Sequence, residues 1–266
     1  MSSFHGFKDR GRVQSDNDEE EVNASDRGLH EMENGSQPFL NETAMLRFTL
    51  FKIPVSIHWM FWLLAGFLGG MLRAQTATDW HKVLVFVAAV FVSILIHELG
   101  HALTGIKFGA RNVQIQLHGM GGLARFGNES MTRGQKIAMT AAGPGASILL
   151  AIVFFAIAVV TYDEPSTSSY PQFLLSYFFN VMFTINIFWS IVNLFPVLPL
   201  DGGQILRDIL GPDKIKLTCI ISFVTLAVLT ALLWTATRSL FNLLIMVFLG
   251  SYTWNLYQQV SKQQGT

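Results

Sequence analysis

Cysteine is almost missing: Cys219 is the one cysteine among 266 residues. With no second thiol, a disulfide framework and a cysteine-based metal cluster are excluded. Any bound metal must then draw on histidine and carboxylate. Charge is also scarce. Charged residues make up 14% of the chain and sum to a formal net charge of zero, so the basic surface that nucleic acid requires is lacking and no nucleic-acid partner is expected. Met1 to Leu40 holds no apolar core behind its basic residues, and no signal peptide is expected. Repeats are missing too, since no period recurs along the chain.

What the chain has in excess is apolar sequence, 51% of its residues, and it comes in blocks. Runs near the ~20 residues needed to cross a ~30 Å hydrocarbon core predict a multi-pass protein set in a lipid bilayer. Six spans are expected: Pro54 to about Leu72, the run from Val83 to Gly105, about Lys136 to Thr161, about Phe173 to Pro196, Ile215 to Ala236, and Leu240 to about Leu256. Val113 to Phe126 breaks this pattern. It alternates with period two around Gly119-Met120-Gly121-Gly122, which predicts a short hairpin-like pair of strands. The fold class that follows is an all-α polytopic membrane protein, about six transmembrane helices with a short membrane-associated β-hairpin-like segment. Its expected domains are a disordered acidic tail over 1–45, a six-span membrane domain over 46–258 and a cytoplasmic C-terminal tail over 259–266. The acidic tail, with Asp16, Asp18, Glu19, Glu20 and Glu21, has too little apolar surface to offset its ordering entropy.

The second span carries His97-Glu98-Leu99-Gly100-His101. Residues four apart lie on one helix face, one turn above the other. Both imidazoles therefore reach one metal ion, and Glu98 stands beside them as a candidate general base. A carboxylate inside a lipid-spanning helix costs roughly 2.5–3.5 kcal/mol on insertion scales; it is tolerated when paired, metal-bound or facing an internal water cavity. The fourth span ends in Asn193-Leu194-Phe195-Pro196-Val197-Leu198-Pro199-Leu200-Asp201-Gly202-Gly203. Its prolines and glycines break the helix and set Asp201 at a bend, where a carboxylate suits the third ligand of a zinc site. In the third span, Pro144 interrupts the hydrogen-bond ladder among small residues, and such a break must face protein or a cavity. Packing of Gly143-Pro144-Gly145 against the metal helix is therefore expected.

Other polar residues are read as structural first. His58 suits a fixed or interfacial histidine, and His118 a strand face. Asn186 and Asn193 suit bonds between helices, with steadying of an oxyanion as the alternative role. Charge placement then orients the chain. Arg47 and Lys52, the group from Lys107 to Lys136, and Arg207, Lys214, Lys216 and Lys262 share one side of a six-span alternation. The positive-inside rule makes that side the cytoplasm. Both termini are then cytoplasmic, in a bacterial cytoplasmic membrane, and His97, His101 and Asp201 come to similar depth.

These residues resemble the site-2 protease family of intramembrane zinc metalloproteases. The resemblance rests on His97-Glu98-Leu99-Gly100-His101, on Gly143-Pro144-Gly145, and on Asn193 and Pro196 followed by Leu200-Asp201-Gly202-Gly203. It extends from about Ile53 to Trp254 and is nearest to the short sporulation-type branch, which has no CBS or PDZ domains. Members of that branch cleave membrane-tethered transcription-factor precursors. The resemblance implies one Zn2+ per chain held by His97, His101 and Asp201, with Glu98 as catalytic base and Arg111 to Phe126 as the strand region that receives substrate. The implied function is hydrolysis of a peptide bond in or near the transmembrane segment of a membrane-tethered protein, such as an anti-sigma or pro-sigma factor, in regulated intramembrane proteolysis. Ser147 stands where the motif usually has Asn. Neither nucleotide sensing by a CBS pair nor PDZ-gated entry is implied.

A competing reading is non-proteolytic: a homologue that binds transmembrane segments, or a metal-ion carrier. A carrier requires ionisable residues marking a path across the bilayer, and the last two spans offer almost none. An inactive binder is expected to lose Glu98 or a ligand, and none is lost.

Overall fold

Apolar and polar residues alternate from Ile53 to His58, and this segment folds as a strand where a helical span was expected to begin. The computed structural model describes residues 44–119, 121–127, 131–160 and 169–263. The acidic tail up to residue 43, the loop at Tyr162 to Pro165 and the final residues from 264 lie outside them. β1 (Ala44–Leu50) and β2 (Ile53–His58) form an antiparallel hairpin. β2 pairs in parallel with β3 (Arg111–His118), which turns back antiparallel into β4 (Gly121–Gly127). The expected hairpin is thus half of a four-stranded sheet in the order β1-β2-β3-β4. One face is apolar, and Ile53, Val55, Ile57, Ile115 and Leu117 are fully buried on it. Pro54 lies outside the β2–β3 ladder of Val55 to Ile57, so its missing N–H breaks no bond there.

α1 (Trp59–Leu68) follows directly, capped by His58, whose Nδ1 accepts from the Met60 N–H at 3.2 Å. It has 10 residues, so it is ~15 Å long, about half of a hydrocarbon core. The expected span from Pro54 to Leu72 is therefore corrected. Its first residues are strand, and its helix is too short to cross alone. A 3-10 turn, Met71–Arg73, leads on to α2 (Ala77–Lys107). A capping box starts α2: Asp79 Oδ2 accepts from the Thr76 N–H at 3.0 Å, and Thr76 Oγ1 accepts from the Asp79 N–H at 3.2 Å.

Five helices among the described residues are long and apolar enough to cross a membrane. They are α2, α3 (Arg133–Val160), α4 (Tyr170–Asn193), and, beyond the short α5 (Asp201–Leu210), α6 (Ile215–Thr237) and α7 (Leu240–Gln263). The fold is mostly helical and multi-pass, as the composition predicts, with one short apolar helix where a sixth long one was expected. α7 also continues past residue 258, where a tail was expected. α2, α3 and α4 pack on one another, α5 packs on α3 and α6, and α6 pairs with α7. The outward residues of the long helices include Leu84, Leu149, Val160, Leu232 and Leu244, the apolar surface that lipid requires.

Candidate metal centre

His97 and His101 lie one turn apart on the inner face of α2, and Asp201 is the first residue of α5. Their exposures are 2%, 8% and 8%, and that of Glu98 is 5%, so four titratable groups share a site closed to bulk water. His97 Nε2 stands 3.2 Å from His101 Nε2 and 3.1 Å from Asp201 Oδ2. His101 Nε2 is 3.5 Å from Asp201 Oδ1. Ligands bound tetrahedrally at roughly 2.0–2.1 Å stand about 3.3–3.4 Å from each other. The three side chains therefore lie near the spacing of such a site, Asp201 presenting a different carboxylate oxygen to each imidazole.

The far side of each imidazole is held by α3. His101 Nδ1 lies 3.0 Å from the Met139 carbonyl, and His97 Nδ1 lies 3.1 Å from Ser147 Oγ. A carbonyl only accepts, so His101 Nδ1 carries the proton and Nε2 keeps its lone pair. Ser147 Oγ pairs with His97 Nδ1 and fixes the orientation of that ring, with Nε2 turned toward Asp201. Two Nε2 atoms and a carboxylate then face one another in a buried space, an arrangement that a shared cation stabilises. Among the described residues this is the one group of His, Cys, Asp and Glu side chains placed to hold a metal ion, with ligand atoms within 4.8 Å of one another. The donor set fits a divalent ion of the zinc type.

Close helix packing makes this possible. A Cβ on Gly100 of α2 would meet the Ala142 carbonyl oxygen, and one on Gly143 of α3 would overlap the His101 ring. α3 runs on through the buried Pro144, whose carbonyl accepts from Ser190 Oγ of α4 at 3.3 Å. The expected contact of the Gly-Pro segment with the metal helix is thus present. Asp201 reaches the site because the turn after α4 folds back under α5. A Cβ on Gly202 would overlap the Leu194 carbonyl, and one on Gly203 would run into the Val197 backbone. These glycines sit inside the first turn of α5, where they were expected to break a helix; tertiary packing overrides their low helix propensity.

Glu98 lies against β4 and within electrostatic reach of His97, His101 and Asp201. Its carboxylate accepts a hydrogen bond from the Ala124 N–H, and a Cβ on Gly122 would overlap it. The outer edge of the sheet therefore lies against the candidate base. Asn186 is spent between helices, with Nδ2 2.8 Å from Ser93 Oγ of α2 and 2.7 Å from the Met182 carbonyl. Asn193 is buried at the end of α4. His118 is half-buried on β3; burial, then Arg125 and His58, hold its imidazole below the ordinary value, which keeps it neutral. Sequence reasoning missed the contacts that hold these groups: Met139 and Ser147 behind the imidazoles, and Gly122 and the Ala124 N–H against Glu98.

Peptidase family M50 matches the chain over residues 85–173 and 159–232, a stretch that contains all three metal-facing residues, Glu98 and the Gly-Pro segment. The chain belongs to peptidase family M50. Among M50-like relatives, the zinc metalloprotease MJ0392 of Methanocaldococcus jannaschii is 29% identical over 164 residues, covering 62% of this chain and 44% of the relative. Stage IV sporulation protein FB of Bacillus subtilis is 28% identical over 159 residues, covering 58% of this chain and 46% of the relative. The chain thus spans less than half the length of these relatives. In fold it is similar to the solved site-2 protease from Methanocaldococcus jannaschii, with a TM-score of 0.55 and 24% identity, covering 80% of this chain and 94% of that chain. The M50 family match and the shared fold agree with the resemblance read from the motifs.

Proposed function

We propose that this M50 chain is an intramembrane zinc metalloprotease that hydrolyses a peptide bond in or near the transmembrane segment of a membrane-tethered protein. The observation that carries this reading is the buried triad of His97, His101 and Asp201, with ligand atoms within 4.8 Å, set beside Glu98 and the sheet edge. Zinc held by such a set polarises a carbonyl and lowers the pKa of water toward ~7. The chain's own groups do the rest. α3 aims both Nε2 atoms inward, and Asp201 supplies the negative charge. Glu98 takes a proton from the attacking water on its carboxylate and later passes it to the leaving amine.

β4 ends the sheet, and its outer side runs beside Glu98. A substrate stretched along that edge by strand addition brings a peptide bond to the base in extended form, which a helix shielded by its own turns does not offer. A site-bound Glu98 favours hydrolysis over metal-ion carriage or non-catalytic helix binding. Anti-sigma and pro-sigma precursors are the substrate class that the site-2 protease relationship supports, as steps of regulated intramembrane proteolysis. The distribution of Lys and Arg supports cytoplasmic termini and a site near the cytoplasmic surface.

Co-expression with single-span anti-sigma and pro-sigma proteins tests the proposal. Cleavage by the native chain, and none by Glu98→Gln at equal abundance, is the expected result. Equal cleavage by both would remove this site from the reaction.

A further inference from the structure

The turn that delivers Asp201 is gripped by α6 and α7, neither of which supplies a metal-facing residue. Leu198 lies three positions ahead of Asp201, and both its peptide groups are bonded outside the turn. Its N–H donates to Ser222 Oγ of α6 at 3.2 Å, and its carbonyl accepts from Thr253 Oγ1 of α7 at 3.0 Å. Ser222 also donates toward the Thr218 carbonyl of its own helix at 2.9 Å or the Pro196 carbonyl at 3.3 Å. Val197, Leu198, Ser222 and Thr253 are all 0% exposed, so no water competes for these bonds. Within the turn, the Leu200 N–H bonds the Val197 carbonyl at 2.8 Å, and Gln204 Nε2 bonds the Pro199 carbonyl at 3.0 Å. The turn is therefore stiff, and α6 and α7 set where it stands. Gly203 packs straight onto its Val197 and Leu198 backbone, which carries that position into the first turn of α5 and so to the Asp201 carboxylate.

We propose that Ser222 and Thr253 are positioning residues for the metal site, holding the Leu198 peptide so that Asp201 meets His97 and His101. This rests on the metal reading of that triad. It gives the last two helices a task that lipid anchoring alone does not require. Thr253 also lies beyond residue 232, where the match to the M50 family ends. A hydroxyl inside a membrane helix needs only its own i−4 carbonyl, and Thr253 has that option in Leu249 at 3.0 Å. Its single hydroxyl hydrogen is shared at equal distance between the Leu249 and Leu198 carbonyls, and the reach to Leu198 is what ties α7 to the turn.

The test uses the full chain in detergent, stripped of metal, with zinc affinity read by competition against a chromogenic chelator. The melting temperature of each metal-free protein is read in parallel. Thr253→Val keeps the shape and loses the hydroxyl, Thr253→Ser keeps the hydroxyl, and Ser222→Ala removes the other holder. Loss of groups that orient metal ligands typically weakens binding 10- to 100-fold. Thr253→Val and Ser222→Ala should each weaken zinc by about tenfold, at the lower end of that range. Thr253→Ser should stay near the native chain. The double variant should depart from the product of the single losses, because both act on one peptide. Native affinity in Thr253→Val and Ser222→Ala would overturn the proposal, as would equal weakening in Thr253→Val and Thr253→Ser. So would affinities that simply follow the metal-free melting temperatures. A native chain that takes up no zinc would overturn the metal reading itself, and this proposal with it.

Discussion

Glu98 and the three metal-facing residues divide the site into two sides that respond differently to substitution. Glu98→Gln keeps the size of the side chain but cannot take a proton. It should retain zinc while losing the ~10²–10⁴-fold that general acid–base catalysis contributes, measured as cleavage and metal content on one preparation. Glycines make the same division. Gly143→Ala places a methyl group against the His101 ring and should weaken zinc about 10- to 100-fold. Gly122→Ala pushes on the Glu98 carboxylate from β4 and should lower cleavage with zinc retained. Metal assays on the two alanine variants check this; equal zinc loss in both would mean that the two sides are not separable. The candidate ligands and candidate base were legible because the histidine spacing is local to one helix and Asp201 follows an evident break. Their holders were not. Met139 and Ser147 lie 38 and 50 positions from the imidazoles they bond, and a carbonyl or a serine in an apolar helix carries no signature of its own.

The elements differ in how far their sequence announces them. α2 to α4 and the last two helices were evident from apolar runs of spanning length. β1 and β2 were not, because their connecting residues, Phe51 and Lys52, take φ of 50° and 68° without the Asn-Gly or Asp-Gly that usually marks such a turn. The strand at Ile53 also has to be recognised against the apolar helix that follows it. α5 was hidden by Gly202 and Gly203, which read as breakers and serve as close-contact residues. A prediction belongs at this scale. β2 lies beside β3 at the C-terminal end of α2, so the chain from β2 to Thr76 must return along the length of α2 before α2 begins. Reporters placed between α3 and α4 and after α7 should read opposite faces of the membrane, the latter cytoplasmic. Matching signals would mean that α4, α6 and α7 do not all cross the membrane.

For the whole molecule, an ion bound by His97, His101 and Asp201 would join α2 to α5 and, through the turn ahead of Asp201, to α6 and α7. An ion that binds the folded chain alone stabilises it, by about 2.7 kcal/mol at a hundred times its Kd. Zinc should therefore raise the melting temperature of the metal-free native chain, and chelation should reverse the shift. Asp201→Ala should remove most of that response by removing the ligand that links the two parts. A full zinc-dependent shift in that variant would take Asp201 out of the site.

By itself the sequence determined the class of this protein and picked out the candidate residues of its metal centre. Spanning length, helical spacing and the position of a carboxylate after a helix break are local properties, and the lack of thiols left His and carboxylate as the available ligands. The tertiary structure alone decided how the site is built. It made a four-stranded sheet from two distant hairpins, set its edge against Glu98, and chose α3 to hold the imidazoles. It also tied the Asp201 turn to Ser222 and Thr253. Each of these is a contact between segments far apart in the chain, settled by which surfaces can approach closely and which buried polar groups find partners. No local pattern encodes such a choice, because it depends on the packing of all the helices at once.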